Sequence, residues 1–213
     1  MRSRLIGGVL AASTAAVLAA GCSDSTNAPT AGAPTPAPPA SATSASAPAS
    51  PEHNAADVVF AQGMLPHHTQ AIAMSSQASS RAASQEVKDL AARIDQEQGP
   101  EVEQMNQMLD AWAAPRPQPG STAMPGMPGM PMSDMPMPGM MGEAQMQQLA
   151  AQSGPAFDRM FLQMMIEHHT GAVQMAQTEQ VQGLNPQAKE LAAAVVADQQ
   201  REITEMQALL TRV

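Results

Sequence analysis

Apolar residues recur at +3/+4 intervals in four long stretches of the chain, and that spacing predicts four helices, each with one apolar stripe. The first stripe reads Asp57, Phe60, Met64, His67, Ala71, Met74, with Asn54 or Asp57 as the cap and an end near Ser79. The second follows a cap at Ser84 and reads Val87, Leu90, Ile94, Glu101, Met105, Met108, Leu109, ending near Trp112. Ser153-Gly154-Pro155 starts a third helix that ends near Gln182, and Asn185-Pro186 starts a fourth that runs almost to Val213. A shorter helix is expected over 143–151. Pro66 and Gly99-Pro100 fall inside the first two long helices, where they should kink the helix without ending it, because the stripe stays in register on both sides.

The four helices are one unit written twice. A single constant offset carries Asp57 onto Asp158, Phe60 onto Phe161, Met64 onto Met165, His67-His68 onto His168-His169, and Met74 onto Met175. With no gap it then carries Leu90 onto Leu191, Gln98 onto Gln199, Glu101 onto Glu202, Met105 onto Met206 and Leu109 onto Leu210. Neither helical hairpin can bury its stripes alone, so the two are expected to pack as one all-α four-helix bundle. Any site it builds should be pseudo-symmetric. Repeat one spans 57–113 and repeat two spans 155–213, within a folded region of 54–213.

The rest of the chain reads differently. Arg2 and Arg4 precede an apolar run from Leu5 to Leu18, which gives residues 1–21 the form of an export signal too short to be an ordinary spanning helix. Ala19-Ala20-Gly21-Cys22 resembles a bacterial lipobox. That resemblance implies lipidation of Cys22 and a membrane anchor at the outer face of the cytoplasmic membrane or in the cell envelope; the alternative is a plain secretory signal cleaved near Ala20. Residues 22–53 are Ala, Pro, Ser and Thr with too little apolar surface to offset ordering entropy, and read as a disordered tether. Between the repeats, 114–142 is a flexible Met/Pro/Gly-rich insert carrying Met124, Met127, Met130, Met132, Met135, Met137, Met140 and Met141.

Composition removes several function classes. A net charge of −9 without a Lys/Arg stripe argues against nucleic acid as a partner. One cysteine excludes an internal disulfide and a cysteine-based metal cluster. No Ser/His/Asp or Cys/His pattern supports nucleophilic catalysis.

What remains is the pair of histidine doublets, which hold four of the five histidines. Adjacent helical residues point about 100° apart, so His67 and His168 lie on the stripe, while His68 and His169 lie at its flank, facing either a neighbouring helix or solvent. Met64, Met74, Met165 and Met175 share the stripe face. Thioether with neutral imidazole is a soft donor set that suits Cu(I) and disfavours Mg, Ca and Mn. Glu101 and Glu202 fall on otherwise apolar stripes: they either ligate a metal, accept from an imidazole N–H as a second shell, or reach solvent. Asp57 and Asp158, near helix starts, read as capping or dipole residues. The methionine insert is either an accessory copper-capturing segment or a low-complexity linker.

The motif Met-x-x-His-His-Thr-x-Ala-x-x-Met in both copies, followed by Gln-x-x-Glu-x-x-x-Met, resembles the domain of unknown function 305 family, bacterial exported proteins with a ferritin-like helical bundle. The resemblance covers about Asp57 to Val213 apart from the insert. By similarity to periplasmic members of the CopM type it implies copper binding through Met64, His67, His68, Met74, Met165, His168, His169 and Met175. The expectation is therefore a non-enzymatic, exported Cu(I)-binding lipoprotein for sequestration, tolerance or handover, with no cofactor required for folding. A handover partner and a homodimer stay open. The alternatives are a metal-free envelope scaffold and a ferritin-like di-iron or manganese oxidase. The oxidase would need Glu-x-x-His, whereas Glu167 directly precedes His168 and the first copy has Pro66 at that position.

Overall fold

The computed structural model describes residues 50–117 and 137–213. The export signal, Cys22, most of the tether, and Met124, Met127, Met130, Met132 and Met135 lie outside the described residues. The elements are α1 (Ala55–Ser75), α2 (Ala78–Arg81), α3 (Gln85–Ala111), α4 (Glu143–Ala151), α5 (Pro155–Gln182) and α6 (Pro186–Leu210). Among the described residues there is no strand, only an isolated bridge between Ala82 and Gly154. The fold is all-α.

Caps set most helix starts. Asn54 accepts from the Ala56 and Asp57 N–H groups while Asp57 accepts from Asn54 N–H, a reciprocal capping box. Ser84 caps α3, and Asn185, followed by Pro186 at the first helical position, caps α6. Both interior prolines are accommodated: α1 runs through Pro66 and α3 through Pro100. The first helix stops short of its expected end, at Ser75. Ser76, Ser79 and Ser80 turn their hydroxyls onto carbonyls three residues back, which competes with helix propagation and leaves α2 as a separate single turn.

α1 pairs with α3 and α5 with α6 as two hairpins, and the hairpins join along α1 and α5. Two aspartates lock that join. Asp57, in α1, accepts from the backbone N–H of Leu184 (3.0 Å) and Asn185 (2.9 Å) in the α5–α6 turn. Asp158, in α5, accepts from Ala83 (3.0 Å) and Ser84 (2.8 Å) in the turn before α3. The start of each central helix is therefore pinned to the far end of the other hairpin. α1 and α5 run antiparallel, and the repeat becomes a pseudo-two-fold.

That geometry divides the core. One apolar cluster gathers Met74, Leu90, Ile94, Phe157, Phe161, Met165 and Met206. The other gathers Phe60, Met64, Met105, Leu109, Trp112, Leu191 and Val195. Each fully buried large side chain contributes about 1.5–3 kcal/mol to holding the hairpins together. On every long helix the switch from one cluster to the other falls at the same height, and there the stripe is polar.

Two stretches read from sequence as flexible are partly ordered. Ser50 donates its N–H to Gln187 and accepts from Trp112 Nε1–H, and the fifth histidine, His53, stacks on Trp112 at 5.0 Å. The end of the tether thus lies against the bundle. Residues 137–141, the last part of the insert, form a strap across α1 and α5. Gln70 clamps Met141 by both its N–H (2.7 Å) and its C=O (2.9 Å). Gly139 has φ +82, and a Cβ on it would stand 2.6 Å from the Glu167 carbonyl; a Cβ on Gly171 would stand 1.7 Å from the Pro138 carbonyl. Only glycine at both positions lets the strap lie this close to α5.

Candidate metal centre

The polar layer between the two clusters is built from two residues on each long helix: His67 and His68 on α1, Gln98 and Glu101 on α3, His168 and His169 on α5, Gln199 and Glu202 on α6. All four histidines are buried, with exposures of 0–1%. The antiparallel crossing of α1 and α5 brings the doublets together, with the His67 and His168 rings 3.7 Å apart between centroids and tilted by 43°.

The second histidine of each doublet faces the neighbouring helix of its own hairpin. His68 Nε2–H donates to Glu101 Oε2 at 2.6 Å, and His169 Nε2–H donates to Glu202 Oε2 at 2.7 Å. His67 Nε2–H donates to the Pro138 carbonyl of the strap at 3.2 Å. A carbonyl can only accept, so the neutral His67 carries its proton on Nε2 and leaves Nδ1 as a lone pair; the carboxylates likewise fix a proton on Nε2 of His68 and His169. None of these Nδ1 atoms has a hydrogen-bond partner, and His168 has none at either ring nitrogen.

Five buried imidazole nitrogens without partners are costly, because each such group forfeits about 1–3 kcal/mol of hydration. Burial also keeps His67 and His168 neutral. The His67 pKa is pushed down to about 3, by burial first and by the neighbouring His68 and His169, with the Pro138 carbonyl working the other way. His168 is lowered by burial and then by the three other histidines. Held neutral, His67 and His168 keep free lone pairs and are electron donors at ordinary pH. Among the described residues no three His, Cys, Asp or Glu side chains are grouped to hold a metal ion. The donors would therefore have to be one or two imidazoles with thioether sulfur, the low-coordinate soft set that Cu(I) accepts.

Met64 and Met165 are fully buried one turn from the doublets, one in each cluster. Met74 and Met175 share the stripe but stand seven residues on, about 10 Å further along the axis. Met74 is inside the core; Met175 is half-buried at the edge of a pocket lined by Phe60, Gly63, Pro138 and Glu179. Of the insert methionines within the described residues, Met141 is buried in the core while Met137 and Met140 are half-buried in the strap.

Sequence reading left out four residues of this region. Gln98 and Gln199 are 3% exposed and keep unpartnered amide atoms in the polar layer. Their place three residues before Glu101 and Glu202, in both copies, was the available signal. Pro138 had no signal, since its role depends on where the strap docks. Glu179 is 1% exposed with neither oxygen accepting from an N–H or O–H donor. Its carboxyl is pushed up to about 8, by burial first and then by the adjacent Asp57. Asp57 itself is raised by burial but ends below its ordinary value, because Glu179 and the N–H groups of Asn54, Asn185 and Leu184 all stabilise its charge.

Residues 57–210 match the sequence profile described as Domain of unknown function (DUF305). Among solved structures, a DUF305 protein from Streptomyces coelicolor, described as secreted, is similar at 36% identity, over 74% of this chain and 91% of that one, with a TM-score of 0.64. A DUF305 fragment from Deinococcus radiodurans is similar at 31% identity, over 78% of this chain and 100% of that one, also with a TM-score of 0.64. CopM in its Cu(I)-bound form is similar at 27% identity, over 73% and 96% of the two chains, with a TM-score of 0.59; CopM has also been solved with Cu(II) and with Ag bound. No curated protein matches the sequence.

Proposed function

The chain belongs to the DUF305 family, and from that premise we propose that it is an exported copper(I)-binding protein that sequesters the ion or hands it on, without catalysing a reaction. The observation that carries this reading is the layer of buried imidazoles, each with an unpartnered Nδ1, flanked by the thioethers of Met64 and Met165. Such a layer is destabilising unless something occupies it. The copper- and silver-bound forms of CopM support a soft monovalent cargo. Glu101 and Glu202 act here by orienting His68 and His169. With only those two carboxylates in the layer, it lacks the four that a di-iron or manganese oxidase uses.

Among the described residues no helix is long and apolar enough to cross a membrane. Membrane attachment in this reading comes from a lipid on Cys22, and the methionine insert captures copper beside the bundle and raises its local concentration. Palmitate labelling that is lost in Cys22→Ala checks the anchor.

The copper reading is tested by anaerobic titration of the mature chain with Cu(I) against a competing chelator. The expected result is loss of the tight site in the His67→Ala/His168→Ala double variant, and a reduced number of bound ions when residues 118–136 are deleted. Affinity unchanged in every variant would overturn it. Loss on deletion of the insert alone would leave the bundle as a scaffold.

A further inference from the structure

The pseudo-two-fold is broken beside the polar layer. On the Asp57 side of the polar layer a pocket of about 330 Å³ opens between α1 and α5. At the matching height on the other side, Phe157 and Met164 fill the space, where this side has Ala56 and Gly63. The emptied side also gains a carboxyl, since Glu179 stands where the other copy has Ala78. Two large apolar groups have been removed and one ionisable group added at the same spot. That is the composition of a binding pocket rather than of a packing fault.

Two potential donors line it. Met175 and Glu179 are four residues apart on α5 and both line the pocket, and the Met175 sulfur is the nearest atom, at 3.7 Å, to a Cβ built on Gly63. Neither Glu179 oxygen accepts from an N–H or O–H donor, and the carboxyl, when protonated, donates to Asp57. The charged groups around it are Asp57 on α1 and Lys189 on α6, and the lysine is occupied by the Gly183 carbonyl at 3.3 Å. Pro138 also lines the pocket and is the residue whose carbonyl holds His67.

We propose that this pocket is a second, weaker site for a soft monovalent cation, held between the Met175 thioether and the Glu179 carboxylate, one residue away from the histidine layer. It rests on the copper reading only for the identity of its cargo. Binding releases the proton of Glu179 to solvent, so the positive charge gained and lost is equal. A thioether and one carboxylate make an incomplete shell for a soft ion. Weak binding beside a stronger site suits a place of transit.

The test is an Ag(I) titration of the full mature chain labelled with ¹³C at the methionine methyls, with Ag(I) as the probe. The Met175 resonance, assigned through Met175→Leu, should shift with Ag(I). In Gly63→Met, which rebuilds the side chain of the other copy, and in Glu179→Gln, which keeps the shape of the protonated acid, half-shift should need about tenfold more Ag(I) or greater. Amide spectra matching wild type certify the fold of both variants. The same titration in the His67→Ala/His168→Ala background separates the two readings: a Met175 shift that persists there supports the pocket whatever becomes of the histidine layer. A Met175 resonance that stays still while other methionines move, or that moves equally in both pocket variants, would overturn it.

Discussion

His67 and His168 are equivalent by sequence and their rings meet, tilted, at 3.7 Å across the pseudo-two-fold, yet one is anchored and the other is not. The Pro138 carbonyl takes the Nε2–H of His67, while His168 leaves both ring nitrogens unpartnered in the core. The strap supplies one carbonyl to a two-fold site, so it satisfies only one half. His168 is therefore the more strained member and the freer ligand.

Replacing His168 by leucine should make the copper-free protein more stable by about 1–3 kcal/mol, since an apolar group removes two unmet hydrogen bonds at little cost in volume. The same variant should lose the stabilisation that Cu(I) gives wild type, which reaches about 4 kcal/mol at a thousandfold excess over Kd. Urea unfolding with and without Cu(I) checks both signs. A copper-free variant less stable than wild type would mean that His168 is satisfied in solution.

The aspartate clamps should be unequal. Asp57→Ala leaves the Asn54, Leu184 and Asn185 N–H groups unmet, whereas Asp158→Ala leaves only those of Ala83 and Ser84 unmet. We expect losses of about 2–4 kcal/mol for the first and about 1–3 kcal/mol for the second, read from denaturant midpoints at constant m.

Glu179 gives an alkaline limb to stability. Its folded value of about 8 lies above its ordinary value of 4.5, so the folded chain holds the proton more tightly than the unfolded one. That contribution is complete below pH 4.5 and is lost as pH rises through 8, at no more than about 1.4 kcal/mol per pH unit. Melting temperatures from pH 5 to 9 should fall across this window in wild type and stay flatter in Glu179→Gln.

Gly171→Ala separates the strap from the helices. Alanine favours an interior helix position by about 0.8–1.0 kcal/mol over glycine, but its Cβ would overlap the Pro138 carbonyl. Helicity should be kept while residues 137–141 are displaced. Limited proteolysis should then cut near Met140 in the variant under conditions that spare wild type.

Much of this protein is written locally. The +3/+4 stripes, the caps at Asn54, Ser84 and Asn185, and the prolines after helix starts fix where the long helices lie, because those signals act within a turn or two of chain. The constant offset between the copies announces the pseudo-two-fold, and with it the identity of the two histidine doublets. What the spacing left open was direction. Nothing in a +3/+4 pattern says that α1 and α5 cross antiparallel, and it is this crossing, enforced by Asp57 and Asp158 reaching across to the far turns, that sets His67 against His168. The flank positions of His68 and His169 resolve onto Glu101 and Glu202 only once α3 and α6 are packed beside them. The strap, the unequal anchoring of the two rings, and the pocket at Glu179 depend on contacts between segments far apart in sequence, and such contacts leave no period to read.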